Sequence, residues 1–124
     1  MDATVWGPHY WFFLHTVTMT YPLRPNDGAK KKYYELIQNI PLFIPNVSMA
    51  KSFQETLDAY PVSPYLDTRD SLTRWMHFIH NKINKRIGLQ QISMTKFYEE
   101  YHDRYKPRDV KIIEYAKTKR QVLY

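Results

Sequence analysis

The chain has 124 residues, 44% of them hydrophobic and 24% charged, with a formal net charge of +6 and no cysteine. That length fits one domain, and that balance is globular rather than disordered. The missing cysteine excludes a disulfide scaffold, a cysteine nucleophile, a zinc ribbon, an iron–sulfur site and any thiol redox chemistry carried by this chain.

Strict apolar–polar alternation is rare, so the pattern favours helices over sheet. Pro8 suits the first turn of a helix that runs to about Tyr21, where Pro22 and Pro25 stop it. Trp11, Leu14, His15 and Thr18 share one face of it. Asn26 or Asp27 caps a second helix to about Ile40, with Tyr33, Leu36, Ile37 and Ile40 on its apolar side. A third helix starts near Asn46 and carries Met49, Ala50, Phe53 and Leu57. Asp67 or Thr68 opens a fourth, which Gly88 ends, with Leu72, Trp75, Met76, Ile79, Ile83 and Ile87 as its stripe. Ser93 caps a short fifth helix from Met94 to about Arg104. Beyond Pro107, a last helix is predicted from Arg108 to about Gln121, with Val110, Ile113 and Lys117 on a thin apolar side. The fold expected is all-α: a four-helix bundle with a short fifth helix and a basic C-terminal helical extension. The domain boundary falls at 104/105.

Charge follows that boundary. Residues 1–103 carry 11 basic and 10 acidic side chains, whereas residues 104–124 carry seven basic and two acidic. A solvated helix face is the simplest reading of such a tail. Its partners would be an acidic protein surface, an anionic membrane or, as an outlying alternative, nucleic acid bound through phosphates beside Tyr105 and Tyr115. The apolar runs are too short for a transmembrane segment, and the N-terminus has no secretory pattern, so secretion is not expected.

Three polar and aromatic clusters carry the chemical information. The first is Trp6-Gly7-Pro8, Trp11 and Leu14-His15-Thr16; the second is the run from Ile44 to Met49; the third is Trp75, His80-Asn81 and Asn84. Buried imidazoles and amides need partners, which a flat, polar-edged ligand supplies as well as backbone carbonyls or water do. Ordinary core hydrogen bonding is the simpler account. His77 and His80 have metal-ligand spacing, but no carboxylate supports them, and no metal site is expected. Neither a nucleophile elbow nor a glycine-rich phosphate loop is present.

In order and spacing the clusters resemble the Erv/Alr family of FAD-linked sulfhydryl oxidases, in the short form found in large DNA viruses. The resemblance rests on Trp6, Gly7, Pro8, Trp11, Leu14-His15-Thr16 and Tyr21-Pro22. It continues with Trp75, four residues, His80-Asn81, two residues and Asn84, then Ile87-Gly88-Leu89. It spans residues 5–101. It implies a bundle that clasps FAD with Trp6, Gly7, Trp11, His15, Trp75, His80, Asn81 and Asn84, and leaves Arg86 or Lys85 to meet the pyrophosphate. It also implies protein partners or a homodimer, virion structural proteins among them, and a place in the viral particle or the host cytoplasm.

The departure is as informative. Asn46 and Met49 stand where the resemblance puts the two cysteines of Cys-x-x-Cys, and Leu89 where it puts a lysine. An amide cannot attack a flavin as a thiolate does, and a thioether forms no disulfide. No catalytic residue is therefore assigned. Two functions are compatible with this pattern. One is a catalytically inactive structural or virion-associated interaction protein. The other is a flavoprotein with a retained FAD site and altered thiol oxidoreductase-type chemistry.

Overall fold

The computed structural model describes residues 1–105. Five α-helices appear in it: α1 (Ala3–Met19), α2 (Asp27–Asn39), α3 (Val47–Ala59), α4 (Arg69–Arg86) and the short α5 (Met94–Phe97). The expected helical bundle is the fold found. The expected helix over Arg108–Gln121 and the basic extension from residue 106 onward lie outside the described residues.

The caps explain most boundaries. Asn26, Asn46, Thr68 and Ser93 each accept a backbone N–H three residues on, at the start of α2, α3, α4 and α5. At the end of α4, Gly88 has φ +79°, a region where a side chain is strained. Gly88 N–H reaches the Lys85 carbonyl and Leu89 N–H reaches the Asn84 carbonyl, which is the paired termination that a left-handed residue permits.

Three expectations need correction. Helix α1 begins at Ala3, five residues before Pro8, because the Asp2 carboxylate accepts from Thr4 N–H and caps it there. Pro8 therefore lies inside the helix and deprives the Thr4 carbonyl of its helical donor. Leu36 is exposed; α2 buries Ile37, with Ile40 just beyond it, and Tyr33 packs on the core edge. The fifth helix is not regular to Arg104: after α5 the chain forms a π turn (Tyr98–His102) and a 3-10 turn (Asp103–Tyr105). A spacing of four drifts around an α-helix of about 3.6 residues per turn. The wider π turn keeps Phe97, Tyr101 and Tyr105 in line. Phe97 and Tyr101 meet His15, and Tyr101 and Tyr105 meet Phe12. Tyr105, the first residue of the expected extension, also shares a 2.7 Å hydrogen bond with Thr16.

The most extensive helix pairing is α1 with α4, followed by α3 with α4. Leu14, Tyr21, Ile37, Phe53, Leu57, Val62, Leu66, Leu72, Trp75, Met76, Ile79 and Ile83 form one core. Its two ends differ. At the C-terminal end of α1, the Tyr21 hydroxyl donates to the Leu66 carbonyl at 2.7 Å, and Arg69 Nε donates to the Tyr21 carbonyl. The other end is open. No helix among the described residues is long and apolar enough to cross a membrane.

Candidate functional site

A cavity of about 770 Å³ opens among the N-terminal half of α1, the start of α3 and the C-terminal half of α4. That volume falls in the range of small-molecule and cofactor sites, roughly 300–1,000 Å³. Trp6, Gly7, Trp11, His80 and Asn84 from the sequence-derived set line it, together with Asn46, Met49 and Leu89. No charged side chain is among the lining residues. The cavity proper therefore suits flat ring systems better than phosphates.

A column of rings forms one wall. Trp11 and His80 lie face to face, 3.7 Å between centroids and 8° from parallel. Phe53 stacks on Trp11 from α3. Behind this column His15 is fully buried, and its Nε2 lies 2.9 Å from His80 Nδ1. His15 Nδ1 has no hydrogen-bond partner among the described residues. A neutral imidazole carries one N–H and one bare nitrogen. If Nδ1 held the proton, a buried donor would go unpaired, the costlier arrangement. His15 is accordingly assigned Nε2–H donating to His80 Nδ1, which leaves His80 with its proton on Nε2. Burial, with His80 and then His77 nearby, pushes the His15 pKa from 6.5 down to about 2. Burial and then His77 push that of His80 down to about 3. The pair is neutral at pH 7. Trp6 Nε1 is a second buried ring nitrogen without a partner among the described residues.

Trp75, Asn81 and Arg86 sit apart from the cavity. Trp75 belongs to the core, where its Nε1–H donates to the Tyr60 carbonyl at 3.2 Å. Asn81 gives both amide atoms to the Ile92 backbone. Arg86 is paired with Glu55 at 2.9 Å. Asn84 lines the cavity while its Nδ2–H donates to the Gln90 carbonyl at 3.1 Å. Sequence reasoning missed Tyr101, which lines the cavity with its ring 4.2 Å from that of His15. Burial, then the nearby Glu100 carboxylate, raises its phenol pKa, against the opposing effect of Arg104. A tyrosine in a run of similar residues after α5 carries no local signal of that placement; only the π turn shows it.

At the start of α3 the Asn46 side chain is taken up as the helix cap, accepting from Met49 N–H at 3.0 Å, while both residues face the cavity. No thiol stands there.

Fold and site together define an all-α bundle with a ring-walled cavity at one end. Comparison with known proteins makes this specific. The Erv1/Alr family model matches residues 8–102. A FAD-linked sulfhydryl oxidase of African swine fever virus is 31% identical over 114 residues, covering 91% of this chain and 90% of its own. A probable FAD-linked sulfhydryl oxidase of Acanthamoeba polyphaga mimivirus is 27% identical over 100 residues, 80% of this chain and 70% of that one. The crystal structure of the FAD binding domain of Erv1 from Saccharomyces cerevisiae superposes with a TM-score of 0.74. It has 26% sequence identity and covers 86% of this chain and 99% of that one. The chain spans about half the length of the mitochondrial relatives of the two yeasts, 48% and 53%. The chain belongs to the Erv1/Alr family.

Proposed function

We propose that this protein binds FAD in the cavity and, having no dithiol, does not itself carry out thiol–disulfide exchange. The observation that carries this reading is the stacked Trp11–His80 wall of a cofactor-sized cavity beside Asn46 and Met49. The fit is supported by the donor at Trp6 Nε1, which lacks a partner among the described residues and for which a ring-edge acceptor is the natural counterpart. Bound FAD would supply two-electron redox chemistry. Trp11 and His80 would offer it a flat face. His15 would hold the His80 tautomer. Tyr101, Ile83 and Ile87 would exclude water from the ring system. Trp6, Gly7 and Asn84 would complete the lining. The family lysine position is Leu89, and Arg86 already faces Glu55, so pyrophosphate contact would draw Arg86 away from that ion pair. Asn46 and Met49 would contribute surface and no electrons.

Two measurements test the reading. Purified protein should carry, or take up, a flavin absorption band in the visible, and colourless protein that takes up none with added FAD overturns it. The FAD-loaded protein should not oxidise dithiothreitol with oxygen uptake, whereas a variant carrying Asn46→Cys and Met49→Cys together should. Oxygen uptake by the unmodified protein at the rate of that variant would end the claim about the dithiol.

A role as an interaction protein is the second reading, favoured by Leu42, Phe43 and Val47. Leu42 and Phe43, in the 3-10 turn that precedes α3, and Val47, the first residue of α3, are 79%, 70% and 89% exposed. The partner would be a second copy or a virion structural protein, and similarity to proteins of two viruses supports a viral particle or the host cytoplasm as the location. Light scattering at micromolar concentration tests self-association. A monomer that is also absent from purified particles removes this role.

A further inference from the structure

Residues 89–93, between α4 and α5, form neither helix nor strand, yet Leu89 and Ile92 wall the cavity. The backbone groups of such a segment need partners. They find them on α4. Leu89 N–H donates to the Asn84 carbonyl at 2.7 Å, and Asn84 Nδ2–H donates to the Gln90 carbonyl. Ile92 is held more fully. Its N–H donates to Asn81 Oδ1 at 2.6 Å, and its carbonyl accepts from Asn81 Nδ2 at 2.9 Å. The Asn81 amide thus pairs with one residue's backbone as a neighbouring strand would, and this fixes which way the amide points.

The Ile92 carbonyl also lies 2.8 Å from His77 Nε2. A carbonyl only accepts, so His77 bears its proton on Nε2. The 3.3 Å approach of Asn81 Nδ2 to that same nitrogen is then a contact between two donors converging on one oxygen, not a third bond. His77 and Asn81 are one helical turn apart on α4, a spacing that brings both to the same point. Neither is among the residues lining the cavity.

We propose that His77 and Asn81 are positioning residues that latch the 89–93 segment onto α4 and so set the wall of the cavity formed by Leu89 and Ile92. Neither touches the ligand. Selectivity for what enters the cavity then depends on a polar clamp outside it, and loosening the clamp enlarges and softens the site. The latch concerns this chain's own backbone. It rests on the FAD reading only for the identity of the ligand.

Hydrogen exchange on the ligand-free protein tests it directly. Asn81→Ala should speed exchange of the amides of residues 89–92 about tenfold or more, the scale expected for losing two part-buried bonds. Core amides of α4 around Met76 and Ile79 should keep their protection. His77→Leu should act in the same direction and less strongly, and His77→Gln, whose side-chain N–H reaches the same carbonyl, should restore protection. Unchanged exchange at residues 89–92 in Asn81→Ala overturns the latch. Affinity for FAD, read by flavin fluorescence, should fall about tenfold in Asn81→Ala and recover from His77→Leu to His77→Gln. A loosened segment with unchanged affinity overturns its role in shaping the cavity. If the unmodified protein takes no FAD, the proposed function fails alone, and the exchange data still decide the latch.

Discussion

The two ends of the bundle are built from similar helices and satisfy their polar groups in opposite ways. At the closed end, the buried Tyr21 hydroxyl and the Arg69 Nε have backbone carbonyls to donate to, and Tyr21 joins Ile37, Val62 and Leu72 in the buried core. At the open end, two buried ring nitrogens, Trp6 Nε1 and His15 Nδ1, lack partners among the described residues, and a cavity remains. One end completes itself and supplies stability. The other leaves one ring nitrogen beside the cavity wall and one behind it unpartnered among the described residues.

Substitutions at each end should break that symmetry in different readouts. The largest stability effect belongs to the closed end: Leu72→Ala, at a fully buried site, should cost about 2–5 kcal/mol in chemical denaturation. FAD affinity should change little in the fraction that remains folded. A parallel loss of affinity would show that the two ends are coupled.

Acid should act on the open end. His15 and His80 have folded pKa values of about 2 and about 3, below the unfolded value of 6.5. Below pH 6.5 the unfolded chain binds protons that the folded one refuses. Their contribution is thus fully present above about pH 6.5 and is lost as pH falls toward 3, each histidine adding a slope approaching about 1.4 kcal/mol per pH unit. Urea midpoints at pH 7.5, 6 and 5 should fall in that order. In a variant with His15→Leu and His80→Leu together the fall between pH 6.5 and 5 should largely vanish. An equally steep fall in that variant would move the cause elsewhere.

His80→Leu alone should cost about 1–3 kcal/mol, because it leaves the His15 Nε2–H buried without an acceptor. It should weaken FAD binding far more than Leu72→Ala does, as read by flavin fluorescence. The smallest effect is Gly88→Ala, roughly 1–2 kcal/mol for a side chain forced to φ +79°. Its measurement is the thermal midpoint, where a rise instead of a fall would contradict the left-handed termination of α4.

Much of the fold was legible in the sequence. Asn26, Asn46, Thr68 and Ser93 are cap residues whose side chains accept a nearby backbone N–H, so chain neighbours alone determine those helix starts. The stripe Leu72, Trp75, Met76, Ile79 and Ile83 was readable for the same reason: helical periodicity is local. Pro8 misled, because the Asp2 cap starts the helix five residues earlier, and the helix runs through Pro8 without a donor for the Thr4 carbonyl. The candidate site was legible only in part. Trp11 and His80, on two helices and 69 residues apart in sequence, meet at 3.7 Å, and their motifs marked both. Asn81 carried the same kind of mark, yet its amide is used up on Ile92, a partner that no spacing rule identifies.

The sequence by itself determined that this protein has no thiol and that its helices start and stop where cap residues and Gly88 require. Those are matters of composition and local backbone chemistry. The tertiary structure decided which of the marked polar residues face a cavity and which serve the fold. Asn81, Trp75 and Arg86 found their partners on Ile92, Tyr60 and Glu55, whereas the Trp6 Nε1 and His15 Nδ1 atoms found none among the described residues. Hydrogen bonds and packing between elements are settled only when the helices meet, and that assortment separates a site from a core.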